Sequence, residues 1–159
     1  MVVIRGKGVC GGIAFGKISV YRRAQQEVTR KHIVDTQSEY ARYESAKAMA
    51  MEQLSALYNK ATAEVGEQGA MLFEIHRMML EDEDYCDSIA NIIRNQNVNA
   101  EYAVAITGDN FAKMFSAMDD PYMKERAADV KDISERVLNI LSNRESSLIE
   151  PDTPVIIAA

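Results

Sequence analysis

Apolar positions recur in steps of three and four over most of this chain. Tyr43, Ala46, Ala50, Leu54, Leu57, Ala61 and Val65 form one such series, which places them on a single stripe of an α-helix. Thr36 with Glu39 three residues on reads as a capping box, and Gly66 as a C-terminal stop. The spacing predicts a helix over 37–65, a rod of roughly 43 Å at 1.5 Å rise per residue. A rod of that length needs other helices to cover its stripe. A second helix is expected from Glu67 to Leu80, with Leu72, Ile75 and Met79 on one face. The run Glu81-Asp82-Glu83-Asp84 interrupts it. Acidic residues favour a fresh helix start through the macrodipole, so a bent continuation is expected from about Glu83 to Asn95. Asn95-Gln96-Asn97 reads as a turn, and Asn99 as the cap of a third helix reaching about Met118. Asp119-Asp120-Pro121 joins an Asp cap to a proline at the first helical position, where its missing N–H costs nothing. The fourth helix is expected from Pro121 to Leu141, with Val130, Ile133, Val137 and Ile140 inward. Short connections imply antiparallel neighbours.

The two ends have a different texture. Val2-Val3-Ile4 and Ile13 to Tyr21 combine β-branched and aromatic residues with turn-forming glycines, the pattern of short strands. Glu150-Pro151-Asp152-Thr153-Pro154 reads as a turn, and Val155-Ile156-Ile157-Ala158-Ala159 as a buried strand. A domain that stops inside an apolar strand leaves an unpaired edge. The expected object is therefore a fragment. It is mainly α: a four-helix bundle of two antiparallel hairpins, the second helix bent, inserted into an incomplete β-containing stub. The expected boundaries are 1–35 for the first strands, 36–145 for the helical part and 146–159 for the returning strand.

Composition narrows the class without naming a function. The chain has 159 residues, 47% hydrophobic and 26% charged, with nine Met and no Trp. That fits one sizeable core or two small domains, with adaptable methionine packing. No apolar run is long enough to span a membrane, and the start has no signal-peptide core. Cys10 and Cys86 are too few for a disulfide framework and match no metal spacing. Two free thiols in a cytoplasmic protein are the expectation. Residues 1–30 carry six basic side chains against Glu27, a net +5, which leaves −11 for the rest of a chain whose total is −6. An acidic body argues against nucleic acid and suits a basic partner; a solvated surface accounts for the charge equally.

Few residues carry a chemical signal. Gly6-Lys7-Gly8-Val9-Cys10-Gly11 fits G-x-G-x-x-G in form, but a strand follows it and no βαβ unit is present, so dinucleotide binding is set aside. His32 falls in the link before the first helix, on the surface. His76 sits on the second helix with no base or metal partner near it in sequence, as structural histidines do. Two clusters exceed what a generic bundle needs. Phe73 to Asp84 places large apolar residues on more than one helix face before the acidic bend, which reads either as core or as an apolar docking patch rimmed by carboxylates. Tyr122 to Ile133 holds Arg126 and Asp129, three apart and so on one face, at the least a surface ion pair of small worth.

Three stations carry a resemblance. The opening Gly8-Val9 with Gly12-Ile13-Ala14-Phe15-Gly16, the stretch Met79-Leu80-Glu81-Asp82-Glu83, and Lys124 to Ile133 occur in the order and spacing of enzyme I of the phosphoenolpyruvate:sugar phosphotransferase system. The chain resembles that family's amino-terminal part over nearly all its length. It departs from it at Cys10-Gly11-Gly12, where the family has Ser-Pro-Gly. The resemblance implies an enzyme that takes phosphate from phosphoenolpyruvate on a histidine and passes it to the small carrier HPr. It implies a sheet-containing subdomain bearing that histidine, with an inserted helical subdomain that docks HPr.

The acceptor histidine of the family lies in a Gly-Gly-x-x-Ser/Thr-His type motif, which this sequence lacks, and its phosphoenolpyruvate and magnesium site lies in a separate barrel. The expectation is thus a docking fragment, inactive by itself and without cofactor, from a homodimeric parent that uses Mg. By the same resemblance the HPr contact falls on Glu67, His76, Met78, Met79, Glu83, Asp84, Tyr85, Phe115, Tyr122, Met123 and Arg126, with Arg126 also placed to neutralise the phosphoryl group in transit. Two rivals stay open: a stand-alone helical interaction module, and a piece of another phosphoenolpyruvate-utilising enzyme such as a dikinase or synthase.

Overall fold

A computed structural model describes residues 11–20, 28–143 and 155–158. The expected strand Val2-Val3-Ile4, the Gly6 to Gly11 loop, Cys10 and the Glu150 to Pro154 turn lie outside the described residues. The chain divides into two compact units, one within Met1–Gln26 and Ser147–Ala159, the other within Glu27–Ser146. In the first, β1 (Lys17–Val20) pairs in parallel with β2 (Val155–Ala158), Lys17 opposite Val155 and Val20 opposite Ala158. The second contains five helices: α1 (Thr36–Val65), α2 (Glu67–Leu80), α3 (Glu83–Gln96), α4 (Ala100–Ser116) and α5 (Pro121–Leu141). The α2–α3 pair is the bent second helix, so the bundle is the expected four-helix one.

Local chemistry sets most boundaries. Asp82 caps α3 by accepting from the Tyr85 N–H at 3.0 Å, and Asp120 caps α5 by accepting from Tyr122 N–H at 2.8 Å, with Pro121 at the first helical position. Gly66, at φ 85°, takes the left-handed backbone that lets the chain leave α1 and enter α2 at once. Asn97 does the same after α3, at φ 52°. Two expected caps are corrected. At α1 the cap is Asp35, which accepts from Ser38 N–H. Glu39 is not its capping partner but is buried and reaches α4, where its Oε1 accepts the Ala100 N–H at 2.6 Å. Asn99 stands at the α4 cap position without capping through its side chain. Its Oδ1 accepts from Lys31 N–H and its amide donates to Glu101 and the Thr29 carbonyl, tying the entry segment to α4.

The core is built from Tyr43, Leu54, Leu80, Ile89, Ile93, Val104, Val130, Ile133 and Val137, all fully buried. The α1 stripe is buried only as far as Leu54; Leu57 and Ala61 are half-buried and Val65 is exposed. On α2 the buried residues are Ala70, His76 and Leu80; of the expected stripe, Met79 is half-buried against the core, Ile75 is half-buried and Leu72 is exposed. On α5, Val130, Ile133 and Val137 are buried and Ile140 half-buried.

Two features fix how α4 and α5 sit. Arg42 donates to both Glu39 oxygens, to Glu101 Oε2 at 2.7 Å and to the Leu141 carbonyl at 3.1 Å, so one guanidinium joins α1, α4 and α5. At mid-helix, Gly108 lies against Ser134. A Cβ there would strike both Oγ and Cβ of Ser134, and Ser134 cannot swing away because its hydroxyl is bonded to Val130 O and to Tyr85.

Two outcomes are expected. Gly108→Ala should lower unfolding free energy by about 1–3 kcal/mol, the usual cost of overpacking, as measured by urea denaturation. The Glu101 carboxyl is held below its ordinary value: burial opposes this, but the bonds from Arg42 and Asn99 outweigh it. A carboxylate depressed in the folded state lends stability above its unfolded pKa and loses it as pH falls through the folded one. Wild type should therefore lose stability steeply from about pH 4.3 downward, and Glu101→Gln should be less stable at neutral pH and flatter over that acid range.

Candidate functional site

Where the α2–α3 bend meets the start of α5, the helical unit opens into a groove of about 550 Å³. Ile75, Met78 and Met79 come from α2, Asp82 from the bend, Asp84 and Tyr85 from α3, Phe111, Met114 and Phe115 from α4, and Tyr122, Arg126, Val130 and Ile133 from α5. The floor is aromatic and aliphatic: Tyr85 meets Phe111 edge to face at 5.6 Å between centroids, and Phe111 meets Phe115 likewise at 6.3 Å. Met78, Met114 and Tyr122 are the exposed large apolar side chains of this wall. The carboxylates of the bend supply an acidic rim.

Tyr85 anchors the floor. It is buried, and its hydroxyl bonds Ser134 Oγ at 2.8 Å. Burial pushes its pKa up to about 12, so it is a neutral hydrogen-bonding group at ordinary pH. Behind the groove wall, His76 Nε2 lies 3.4 Å from Asp129 Oδ1, while Asp129 Oδ2 accepts from Arg126 Nη1 at 2.6 Å. Arg126 also lies over the Tyr122 ring, 4.4 Å from its centroid. Burial works against the arginine's charge, but Asp129 and Tyr122 outweigh it and hold the group above its usual value. The Arg126–Asp129 pair is not an exposed surface pair: its side chains are only 16% and 14% accessible.

Of the residues singled out by resemblance, the groove brings together Met78, Met79, Asp84, Tyr85, Phe115, Tyr122 and Arg126. Glu83 is exposed in the first turn of α3 beside it, and Met123 is half-buried next to Tyr122. His76 lies buried behind the wall. Glu67 is exposed in the first turn of α2, some 16 Å along the helix axis from Met78. Ile75, Asp82, Phe111, Met114, Val130 and Ile133 also line the groove without having been named as contacts by resemblance; of these, Phe111 and Met114 fell outside both of the clusters read from the sequence. Phe111, Met114 and Phe115 stand at i, i+3 and i+4, a signal that was open to reading. Asp129 as the partner of His76 was not, since 53 residues separate them. His32 is exposed, and its backbone bridges to Val98. Among the described residues, no group of three or more His, Cys, Asp or Glu side chains is arranged to hold a metal ion, and no helix is long and apolar enough to cross a membrane.

Fold and groove together define the class: residues 5–126 match the family described as PEP-utilising enzyme, N-terminal. The chain is 38% identical over 135 residues to the phosphoenolpyruvate-protein phosphotransferase of Bacillus sp. (strain S), covering 85% of this chain and 23% of that protein. It is 36% identical over 139 residues to the protein of the same name from Bacillus subtilis (strain 168), covering 86% and 24%. The Lactococcus lactis subsp. lactis (strain IL1403) protein aligns over 159 residues at 35% identity, 99% of this chain and 28% of its own. The chain thus spans about a quarter of the length of these curated relatives. A solution structure of Enzyme I (nEIt) superposes with a TM-score of 0.77 at 26% identity, over 89% of this chain and 58% of that one. The N-terminal domain of Enzyme 1 - Nitrogen shares the fold, with a TM-score of 0.71 at 23% identity over 84% and 56%. The chain belongs to the family described as PEP-utilising enzyme, N-terminal, and is similar to part of the amino-terminal domain of Enzyme I.

The Tyr85 anchor is directly testable. Tyr85→Phe keeps the ring against Phe111 and leaves Ser134 its bond to Val130, so it should cost about 1 kcal/mol in urea unfolding. In a phenolate absorbance titration it should remove a step near pH 12.

Proposed function

We propose that the helical unit docks the small phosphocarrier HPr within a longer, homodimeric, cytoplasmic phosphoenolpyruvate-protein phosphotransferase, so that a phosphoryl group passes from histidine to histidine. The observation that carries this reading is an open apolar groove of adaptable methionines and aromatics with an acidic rim. Such a surface steers a basic partner and moulds to it. Transfer between two imidazoles asks little of the protein beyond placement, so docking geometry is a large part of the mechanism. HPr carries its histidine among basic and apolar residues in the family picture, which complements this groove in charge and character.

The roles divide by position. Met79, half-buried and in touch with the core, is the central anchor; Met78, Phe115 and Tyr122 surround it. Asp82, Glu83 and Asp84 supply the steering field. Arg126, the groove's cation, offsets phosphoryl charge in transit. Neither histidine of this sequence sits in the family's acceptor motif, so the chain by itself is inactive towards phosphoenolpyruvate. By the family resemblance, the magnesium and phosphoenolpyruvate site belongs to a separate barrel of the longer protein.

A titration of isotope-labelled chain with HPr, followed by amide chemical shifts, tests the reading. Shifts are expected on α2, α3 and α5, with affinity falling as salt shortens the Debye length from ~10 Å toward ~3 Å. Met79→Ala should weaken binding by roughly 1–2 kcal/mol, and Glu83→Lys should mainly slow association. Shifts confined to α1, or undiminished binding by Met79→Ala, would sink the docking assignment.

A further inference from the structure

We propose that Asp129 and His76 are positioning residues which hold the Arg126 guanidinium at the groove for an oxyanion carried by the docked partner. This rests on the docking reading above and deepens it. An acidic groove has a built-in conflict: the carboxylates that attract a basic partner repel a phosphoryl group riding on it. Among the side chains lining the groove, Arg126 alone is cationic, against Asp82 and Asp84. An arginine left to itself on a helix samples many rotamers and would pair with whichever rim carboxylate came near.

The restraints on Arg126 come from behind and below. Asp129, one turn along α5, accepts its Nη1–H at 2.6 Å, and the Tyr122 ring lies under its plane. Asp129 is itself fixed from α2, because its second oxygen lies 3.4 Å from Nε2 of the buried His76. Arg126 is one of the residues lining the groove, while Asp129 and His76 are not. A guanidinium presents five N–H donors in a rigid fork. Securing one edge of that fork from the protein side presets the orientation of the rest, as oxyanion recognition requires. The chain of contacts also crosses from α5 to α2, so the arginine is referenced to both walls that a partner would touch.

The test has two readouts on the chain as it stands. The first is the side-chain N–H spectrum of Arg126, in which a clamped guanidinium gives slowly exchanging, resolved signals. Asp129→Asn and His76→Gln should each average them, with backbone spectra confirming that the variants are folded. The second is affinity for HPr with and without phosphate on its histidine. Arg126→Gln should weaken binding of the phosphorylated form roughly tenfold, which is ~1.4 kcal/mol, and of the unphosphorylated form far less. Asp129→Asn and His76→Gln should reproduce part of that selective loss and add nothing in the Arg126→Gln background. Losses that add fully in that background, or an unchanged Arg126 spectrum, would mark Asp129 and His76 as structural only and overturn the proposal. If the unaltered chain binds neither form of HPr, the docking reading itself falls.

Discussion

The arrangement of this helical unit depends on one buried carboxylate. Glu39 is only 9% exposed, yet it carries a charge and belongs to the first turn of a helix whose cap is made by another residue. Two groups compensate it: the Ala100 N–H at the start of α4 and the guanidinium of Arg42. The first is a helix N-terminus, where free N–H groups and the macrodipole favour a negative charge. The second extends the contact to Glu101 and to the last carbonyl of α5. A buried charge that loses its partner is costly, so these groups must meet together or not at all. That condition sets the register of α4 and α5 against α1.

The groove follows from that register and from helix length. Helix α1 has 30 residues, but α4 has 17 and α5 has 21. Pinned together near the start of α1, the shorter helices reach only part of the way along it, since each residue advances about 1.5 Å. The α4–α5 connection therefore comes level with the bend between α2 and α3. A continuous second helix would have laid its apolar face flat on the bundle. The break at Glu81-Asp82 lets α2 and α3 diverge, and Ile75, Met79, Phe111 and Phe115 are left half-covered. Asp82, whose cap starts α3 after the break, also lines the groove together with Asp84. Helix-start chemistry and surface charge thus come from one short stretch of sequence.

Sequence reading succeeded where the physics is local. Asp120-Pro121, Gly66 and the α3 start are decided by neighbouring residues, and each stands where the pattern put it. It failed where a side chain left its neighbourhood. Glu39 matches a capping box in spacing, but the capping box is a local bargain that a buried helix terminus 61 residues away outbid. Asn99 was read as a cap and serves instead as a staple to Thr29 and Lys31. His76 looked partnerless because its partner belongs to another helix. The apolar stripe of α1 was real as periodicity, but periodicity says nothing about where a covering helix ends, and the stripe emerges from cover after Leu54. For the groove, the resemblance supplied the α2, α3 and α5 walls. The α4 wall was mostly missed, because Phe111 and Met114 look like ordinary core positions until the open face beside them is known.

The strand pairing bears on why such a unit can be modified independently. Parallel neighbours cannot be joined by a tight turn; they need a crossover of a dozen residues or more. Here Lys17–Val20 and Val155–Ala158 are parallel neighbours, and the crossover between them is the whole helical unit. A crossover contributes to its sheet only by bringing the chain back to the correct edge. Beyond that it is free to enlarge, provided it buries its own apolar surface and satisfies its own helix ends. This one does both, with a core drawn from all five helices and a closing clamp at Glu39 and Arg42. Substitutions of the exposed side chains of the groove, such as Met78 and Tyr122, therefore act on a body whose stability is set by the buried core and the clamp. A surface of exposed methionines and acidic side chains, a poor choice for a structural wall, can be kept there without loosening the frame that presents it.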